Sequence, residues 1–551
     1  MSAPKRIALL LGIGMLSAGN ARAADYYVAT TGSDTNPGTM DQPFASLQKG
    51  ANVAVAGDTV YIRGGTYSIV TPTTSGAGIT FTKSGTSDTS RIRYWAYAGE
   101  VPVFDFSNLL ISTSGYTHGF VVTGSFLHFK GLEIENVPMN TFSNNGVAVN
   151  GGGNDIFELL NMHDNCGNGI FIGEGSGGHL VLNCDAHDNY DPTSNQGDGQ
   201  NADGFGLHYQ KTGAVSTFRG CRAWWNSDDG YDFINQEVSG IIENSWAFAN
   251  GYIKSGTARP GAGNGNGFKV GSSKTGVRHI VRNNVAWKNV ATGFYANHSS
   301  GGNDWFNNTS YMNGTQYNML ASDPNDSSTT IILMGSLVHK MRNNIGFPNK
   351  NTNMTGVDTA SNTWDLSITP AASDFESVSD MGAMGPRNTD GSLPDLNFMK
   401  LPAGSKMIDK GTDVGLPFVG AAPDLGAYEY GATTGSTSGA GSLGTAGANT
   451  NGGAPSVAGA GTVPGTAGTS TTSGGGAQAL AGNAGDTGSL SAGSPGSVST
   501  GAAGSAAAAA GTDSSGCGCR LASAGATPRG DASGWVAGAL ALALLRRRRA
   551  A

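Results

Sequence analysis

Between residues 150 and 313 the chain repeats a register of apolar, polar and ring positions. Each unit closes on an asparagine: Asn165, Asn189, Asn226, Asn250, Asn289 and Asn313. Two residues earlier stands a ring: His163, His187, Trp224, Phe248, Trp287 and Tyr311. Eight residues earlier stands an apolar side chain: Phe157, Val181, Phe218, Ile242, Val281 and Trp305. Six residues earlier the last five units carry Asn183, Gly220, Asn244, Asn283 and Asn307. The short steps are 24 residues and the long ones 37 and 39. Short β-rich runs, turn residues and no helical periodicity at this unit length predict an all-β chain, a parallel β-helix with one coil per unit. A propeller blade needs longer and more regular units. Equivalent residues then stack about 4.8 Å apart. The apolar column faces inward, the asparagines bridge their amides from coil to coil, and the ring column, His163 and His187 included, stacks in the core.

A second element, x-Gly-apolar, follows each closing asparagine: Asn168-Gly169-Ile170, Asp203-Gly204-Phe205, Asp229-Gly230-Tyr231, Asn266-Gly267-Phe268 and Thr292-Gly293-Phe294. In three units it begins three residues after the asparagine, in the other two 14 and 16 residues after. The extra residues, 190–202 and 251–265, leave the stack at one corner, on the coils flanking the one that holds Asp229. Inserted loops on a regular scaffold are the usual place for binding, so these two are expected to wall a groove.

Composition changes the picture mainly at the ends. Of 551 residues 87 are glycine, and the formal charge is -8. Residues 1–23 read as a secretory signal peptide: Lys5 and Arg6, a short apolar run, then Ala21-Arg22-Ala23. Residues 24–431 form the β-helix domain. Residues 432–516 are almost all Gly, Ala, Ser and Thr and predict a flexible linker. Residues 517–551 carry Cys517-Gly518-Cys519, an apolar stretch too short for a free-standing span, and Arg546 to Arg549. This tail resembles the C-terminal sorting signal of myxobacterial surface proteins. The resemblance implies processing near Cys517 or Cys519 and an enzyme that stays on the cell surface; the other reading is a tail that remains as a weak membrane anchor. The expected location is secreted or at the cell surface. Within the domain, Cys184 and Cys221 share a column and either pair as a disulfide or stack as free thiols. No zinc-ligand spacing is present.

Aligning the second element places Asp203 and Asp229 as vertical neighbours, with Asp228 beside them. Three residues on, the column reads Phe171, Gly206, Asp232, Lys269 and Tyr295, so Lys269 stands one coil above Asp232. Each Asp-Gly alone suits a turn for backbone reasons. Four acids converging on one corner repel unless a cation joins them, and oxygen-only ligation suits Ca2+. A nearby cation opposes protonation of Lys269 and frees it as a base. His208, Lys211, Arg259, Arg278 and Tyr295 are candidate substrate contacts.

The stretches 201–205, 226–232 and 265–269, in that order, resemble pectate lyases of polysaccharide lyase family nine; the likeness runs from about Asp25 to Tyr430. It implies a right-handed helix, Ca2+ bound by Asp203, Asp228, Asp229 and Asp232, and Lys269 as catalytic base in β-elimination of polygalacturonate. The expected partner is an acidic polysaccharide. No nucleic acid is expected, the membrane is met only through the tail, and the enzyme is a monomer. Two rivals remain at this level: a hydrolase of the polygalacturonase type, whose Gly-His-Gly and Arg-Ile-Lys motifs are not seen here, and a non-catalytic adhesin clamped by calcium.

Overall fold

The computed structural model describes residues 23–432 except positions 75, 176, 195, 196, 254, 259, 260, 262 and 273. The signal, linker and sorting-tail readings, and Arg259, fall outside the described residues. Among the described residues, three parallel sheets of 12, 10 and 10 strands run along the helix, and each central coil gives one strand to each sheet. One coil supplies Ser216–Arg219, Arg222–Trp224 and Tyr231–Gln236; the next supplies Gly240–Glu243, Trp246–Phe248 and Phe268–Ser272. A short helix, Leu47–Val53, lies at the N-terminal end. Ser46 caps it by accepting from Lys49 N, and Leu47 and Ala51 are buried beneath it.

The inward columns match the pattern. Phe157, Val181, Phe218, Ile242, Val281 and Trp305 pair in register and are fully buried. Opposite them, Phe205, Tyr231, Phe268, Phe294 and Tyr317 form a continuous ring stack with centroid spacings of 4.9, 4.7, 4.9 and 5.2 Å. Each aromatic pair adds about 0.5–1.5 kcal/mol beyond burial alone. This stack backs the sheet that carries Asp232 and Lys269, and so fixes the height of each rung.

The asparagine column is a hydrogen-bonded ladder. Asn165 Nδ2 donates to Asn189 Oδ1, Asn189 to Asn226, Asn226 to Asn250, Asn250 to Asn289 and Asn289 to Asn313, at 3.1, 2.9, 3.0, 2.9 and 2.8 Å. The glycine of the second element makes room for it. A Cβ at Gly230 would stand 2.7 Å from both Asn250 Nδ2 and Gly267 O. The residues six before each closing asparagine do different work. Asn183, Gly220, Asn244, Asn283 and Asn307 all hold positive φ, between 52° and 66°, a turn conformation that Gly and Asn tolerate best.

A second ladder runs one residue further on and mixes residue types. Leu160 N donates to Cys184 Sγ, Cys184 N to Cys221 Sγ, Cys221 N to Ser245 Oγ and Ser245 N to Asn284 Oδ1, at 3.4, 3.4, 3.2 and 2.9 Å. It continues through Asn308, Asn344 and Asn362. Cys184 and Cys221 are therefore free thiols used as acceptors, not a disulfide.

The ring column stacks as expected but on the outer side of its strands, not in the helix interior. His187 and Trp224 lie 4.2 Å apart, and Phe248 and Trp287 also 4.2 Å. Trp224, Phe248 and Trp287 form a second core with Phe375, Phe398, Leu401 and Leu425 from the C-terminal segment. That segment carries no repeat, so the coil pattern did not announce the cover. Arg387 and Arg222 help hold it, both bonded to Asp185.

If the thiols serve only as ladder acceptors, Cys221→Ser keeps the stability of the parent. Cys221→Val leaves Cys184 N unpaired and loses about 1–3 kcal/mol, measured by denaturant unfolding.

Candidate active site

The corner before the site sheet is a third ladder. Here the side-chain oxygen accepts from the backbone of the following coil. Asn168 N donates to Asn145 Oδ1, Asp203 N to Asn168 Oδ1, Asp229 N to Asp203 Oδ1, Asn266 N to Asp229 Oδ1 and Thr292 N to Asn266 Oδ1, at 2.9, 3.2, 3.0, 2.8 and 3.0 Å. Asp203 and Asp229 are thus ladder rungs in which a carboxylate stands where a neighbouring rung has an amide. One oxygen keeps the acceptor role. The second replaces an N–H donor and is left over for other work.

Asp228 is anchored in the same half-committed way. Its Oδ1 accepts from Asn264 N at 2.7 Å and Asn264 Nδ2 at 3.1 Å. Asn264 belongs to the 251–265 insertion. The other insertion is pinned by Asp191, a fully buried carboxylate that accepts from Asn201 N, Asn201 Nδ2 and Ser143 Oγ. Burial pushes the Asp191 carboxyl up to about 6. Sequence columns missed this residue, because it lies inside an insertion rather than on a repeated position. The two insertions leave at one corner, as expected, but they also meet. Ser227 Oγ donates to Gly199 O, and a side chain at Gly263 would collide with the carbonyls of Ser227 and Gly199. They roof the Asp228 corner instead of standing apart as two walls.

Asp232 and Lys269 stand in register on adjacent strands, between Gly206 on one side and Tyr295 on the other. Lys269 Nζ lies 2.9 Å from Asp229 Oδ2 and 3.2 Å from Asp232 Oδ2. Asp203, Asp228, Asp229, Asp232 and Lys269, brought together from three coils, are at most 9% exposed. Burial, then the neighbouring acids, pushes the Asp203 and Asp228 carboxyls well above 3.8. Burial raises Asp229 and Asp232 as well, against the pull of Lys269. Burial works against the Lys269 ammonium too, but Asp229, Asp232, Asp228 and Asp203 outweigh it and hold its pKa well above 10.5. These acids therefore favour the charged form of Lys269, opposite to what a base requires. Four carboxylates against one ammonium leave the corner short of positive charge.

The donor set fits a hard divalent cation. Ligand atoms of Asp203, Asp228 and Asp229 lie within 4.8 Å of one another, and Asp232 Oδ1 has no hydrogen-bond partner among the described residues despite burial. Among the candidate substrate contacts, His208 joins this cluster, with Nε2 3.6 Å from Asp232 Oδ2. Burial, then Lys269, pushes its imidazole down to about 3. Tyr295 sits one coil above Lys269. Lys211 is exposed and paired with Glu174 on the coil below. Arg278 is not a site residue: it binds Asp304, Ser336 O and Val338 O beside another sheet.

A family model for the Pel9A-like right-handed β-helix region matches residues 26–344. The chain belongs to this family. Pectate lyase L of Dickeya chrysanthemi is 37% identical over 417 residues, which cover 75% of this chain and 92% of that protein. Pectate lyase L of Paenibacillus polymyxa (strain SC2) is 33% identical over 414 residues, 71% of this chain and 85% of the relative. The crystal structure of pectate lyase Pel9A superposes with a TM-score of 0.62 at 35% identity, covering 74% of this chain and 97% of that one. A solved rhamnogalacturonan lyase gives 0.61 at 33% identity, covering 69% and 97%. Like these relatives, the chain is a polysaccharide lyase.

The raised Asp203 carboxyl gives a signed expectation. An acid whose folded pKa lies above its unfolded value adds stability below the unfolded value and loses it as pH rises through the folded one. In chelator, Asp203→Asn and the parent should therefore melt alike near pH 4, and the variant should gain a growing advantage as pH rises. Calorimetric melting temperatures across pH read this out; a gap that shrinks with rising pH contradicts it.

Proposed function

We propose that this polysaccharide lyase cleaves polygalacturonate by calcium-dependent β-elimination outside the cell that makes it. The observation that carries the reading is the pairing of Lys269 with Asp229 and Asp232 inside a cluster of four buried carboxylates. It is supported by the pectate lyases of 33–37% identity that the chain resembles over most of its length. Asp203, Asp228, Asp229 and Asp232 would hold the cation. Bound there, Ca2+ supplies the positive charge that offsets these carboxylates and the carboxylate of a bound uronate.

The residues themselves do the rest. Once the acids no longer hold its proton, Lys269 Nζ can become neutral and accept the C5 proton of the uronate as general base. The electron pair left at C5 forms the C4–C5 double bond as the glycosidic oxygen leaves C4. No covalent intermediate on the protein is needed. The ladder bonds to Asp203 and Asp229 keep the ligand oxygens in place without rearrangement, which is the condition for electrostatic stabilisation to act on the transition state. The roof formed by the two insertions limits water at Asp228. Residues 1–23 supply export, and residues 517–551 hold the product at the cell surface or release it.

A second reading, rhamnogalacturonan as the polymer, is favoured by the similarity to the solved rhamnogalacturonan lyase. Both polymers are offered to the purified protein, with calcium and with chelator, and ultraviolet absorbance of the new double bond is followed. Absorbance that rises on polygalacturonate only with calcium is expected, and Lys269→Met should lower it by about 10²–10⁴-fold. Reducing ends without absorbance would identify a hydrolase. No change in either would leave an adhesin, and full activity of Lys269→Met would remove the base assignment.

A further inference from the structure

His208 occupies a place built for it. It ends the strand Phe205–His208, two residues after Gly206, which pairs with Asp232 on the next coil. Gly206 has no side chain to fill its rung. A Cβ there would stand 2.6 Å from Asn168 Nδ2 and 2.9 Å from His208 Nε2. The imidazole therefore folds back across the glycine into the rung between Phe171 and Asp232. The Phe171 ring backs it, with centroids 5.0 Å apart.

From that position Nε2 lies 3.6 Å from Asp232 Oδ2 and 4.0 Å from Asp203 Oδ2. These separations are too long for hydrogen bonds. Among the described residues Nε2 has no hydrogen-bond partner although the atom is buried, and Asp232, 4% exposed, leaves Oδ1 unpartnered as well. Ligand atoms of Asp203, His208 and Asp232 nonetheless fall within 4.8 Å of one another. His208 Nε2 bonds neither carboxylate, although Asp232 Oδ2 accepts from Lys269 Nζ at 3.2 Å; with metal–ligand distances of about 2.0–2.2 Å, neighbouring ligands stand roughly 3–3.5 Å apart, close to these separations. Small side-chain movements close the difference. The set differs in kind from Asp203, Asp228 and Asp229. An imidazole nitrogen is a poor donor to calcium and a good one to the later divalent transition ions.

We propose that Asp203, His208 and Asp232 form a second cation position, sharing Asp203 and Asp232 with the calcium position, that takes a divalent transition ion with affinity for nitrogen. This goes beyond the calcium reading and does not depend on lyase activity. The probe is Co2+, added to ion-stripped protein in saturating calcium and followed by visible absorption and by calorimetry. One Co2+ per chain should bind without displacing calcium. His208→Ala should weaken Co2+ binding by at least about tenfold while calcium affinity is kept. His208→Gln, which keeps the bulk against Phe171 but lacks the imidazole, should match the alanine variant and guards against a folding defect. Equal Co2+ binding by the parent and both variants, or one-for-one exchange of Co2+ with calcium, overturns the proposal. Absence of Co2+ binding with calcium-dependent absorbance intact would sink this position and leave the proposed reaction standing.

Discussion

The central coils of this protein turn corners whose buried backbone N–H groups find acceptors on adjacent coils. Side-chain ladders meet that demand, and much of the structure depends on them. The Asn165–Asn313 ladder uses amides throughout, the Cys184–Asn362 ladder uses sulfur, hydroxyl and amide, and the Asn145–Thr292 ladder uses amide and carboxylate. What the fold requires at a rung is only an acceptor at the right height. Which residue supplies it is open to selection for other reasons, and in the third ladder Asp203 and Asp229 exploit that freedom.

The carboxylates would be hard to hold together without this attachment. Taking even one ionised carboxylate out of water is costly unless it is paired or hydrogen-bonded. Asp203, Asp228 and Asp229 each spend one oxygen on backbone N–H groups, while Lys269 bonds Asp229 and Asp232. Lys269 thereby supplies positive charge among these acids. The same ion pairs favour its protonated form, so in the proposed reaction access to a neutral base depends on positive charge reaching the acids. In the proposed reaction, folding demand, cation binding and base availability meet on the same few carboxylates.

Much of this was legible in the sequence because a coil repeat turns sequence spacing into spatial position. The columns through Phe157, Asn165 and Asp203, and the step from Asp232 to Lys269, needed no more than alignment. Three things were not legible, each for a physical reason. The Cys184–Cys221–Ser245–Asn284 ladder hides behind changing residue types, since any acceptor serves. The outer position of the Trp224–Trp287 rings depends on a C-terminal segment with no repeat, whose contact with them is long-range. The side chain of His208 enters the site, whereas Arg278 turns toward Asp304, and only packing decides such directions. Arg387, bonded to Asp185 across a sequence separation of 202 residues, belongs to the same class.

The central claim is that the two oxygens of a ladder aspartate have separate jobs, one for the fold and one for the cation. Asp229→Asn separates them, because asparagine keeps Oδ1 for Asn266 N and removes the charge. Calcium titration calorimetry on the parent and this variant, with melting temperatures in chelator alongside, tests it most directly. The account predicts a variant that melts no lower than the parent yet binds calcium more than about tenfold more weakly. Undiminished calcium binding, or a variant that fails to fold, would contradict it.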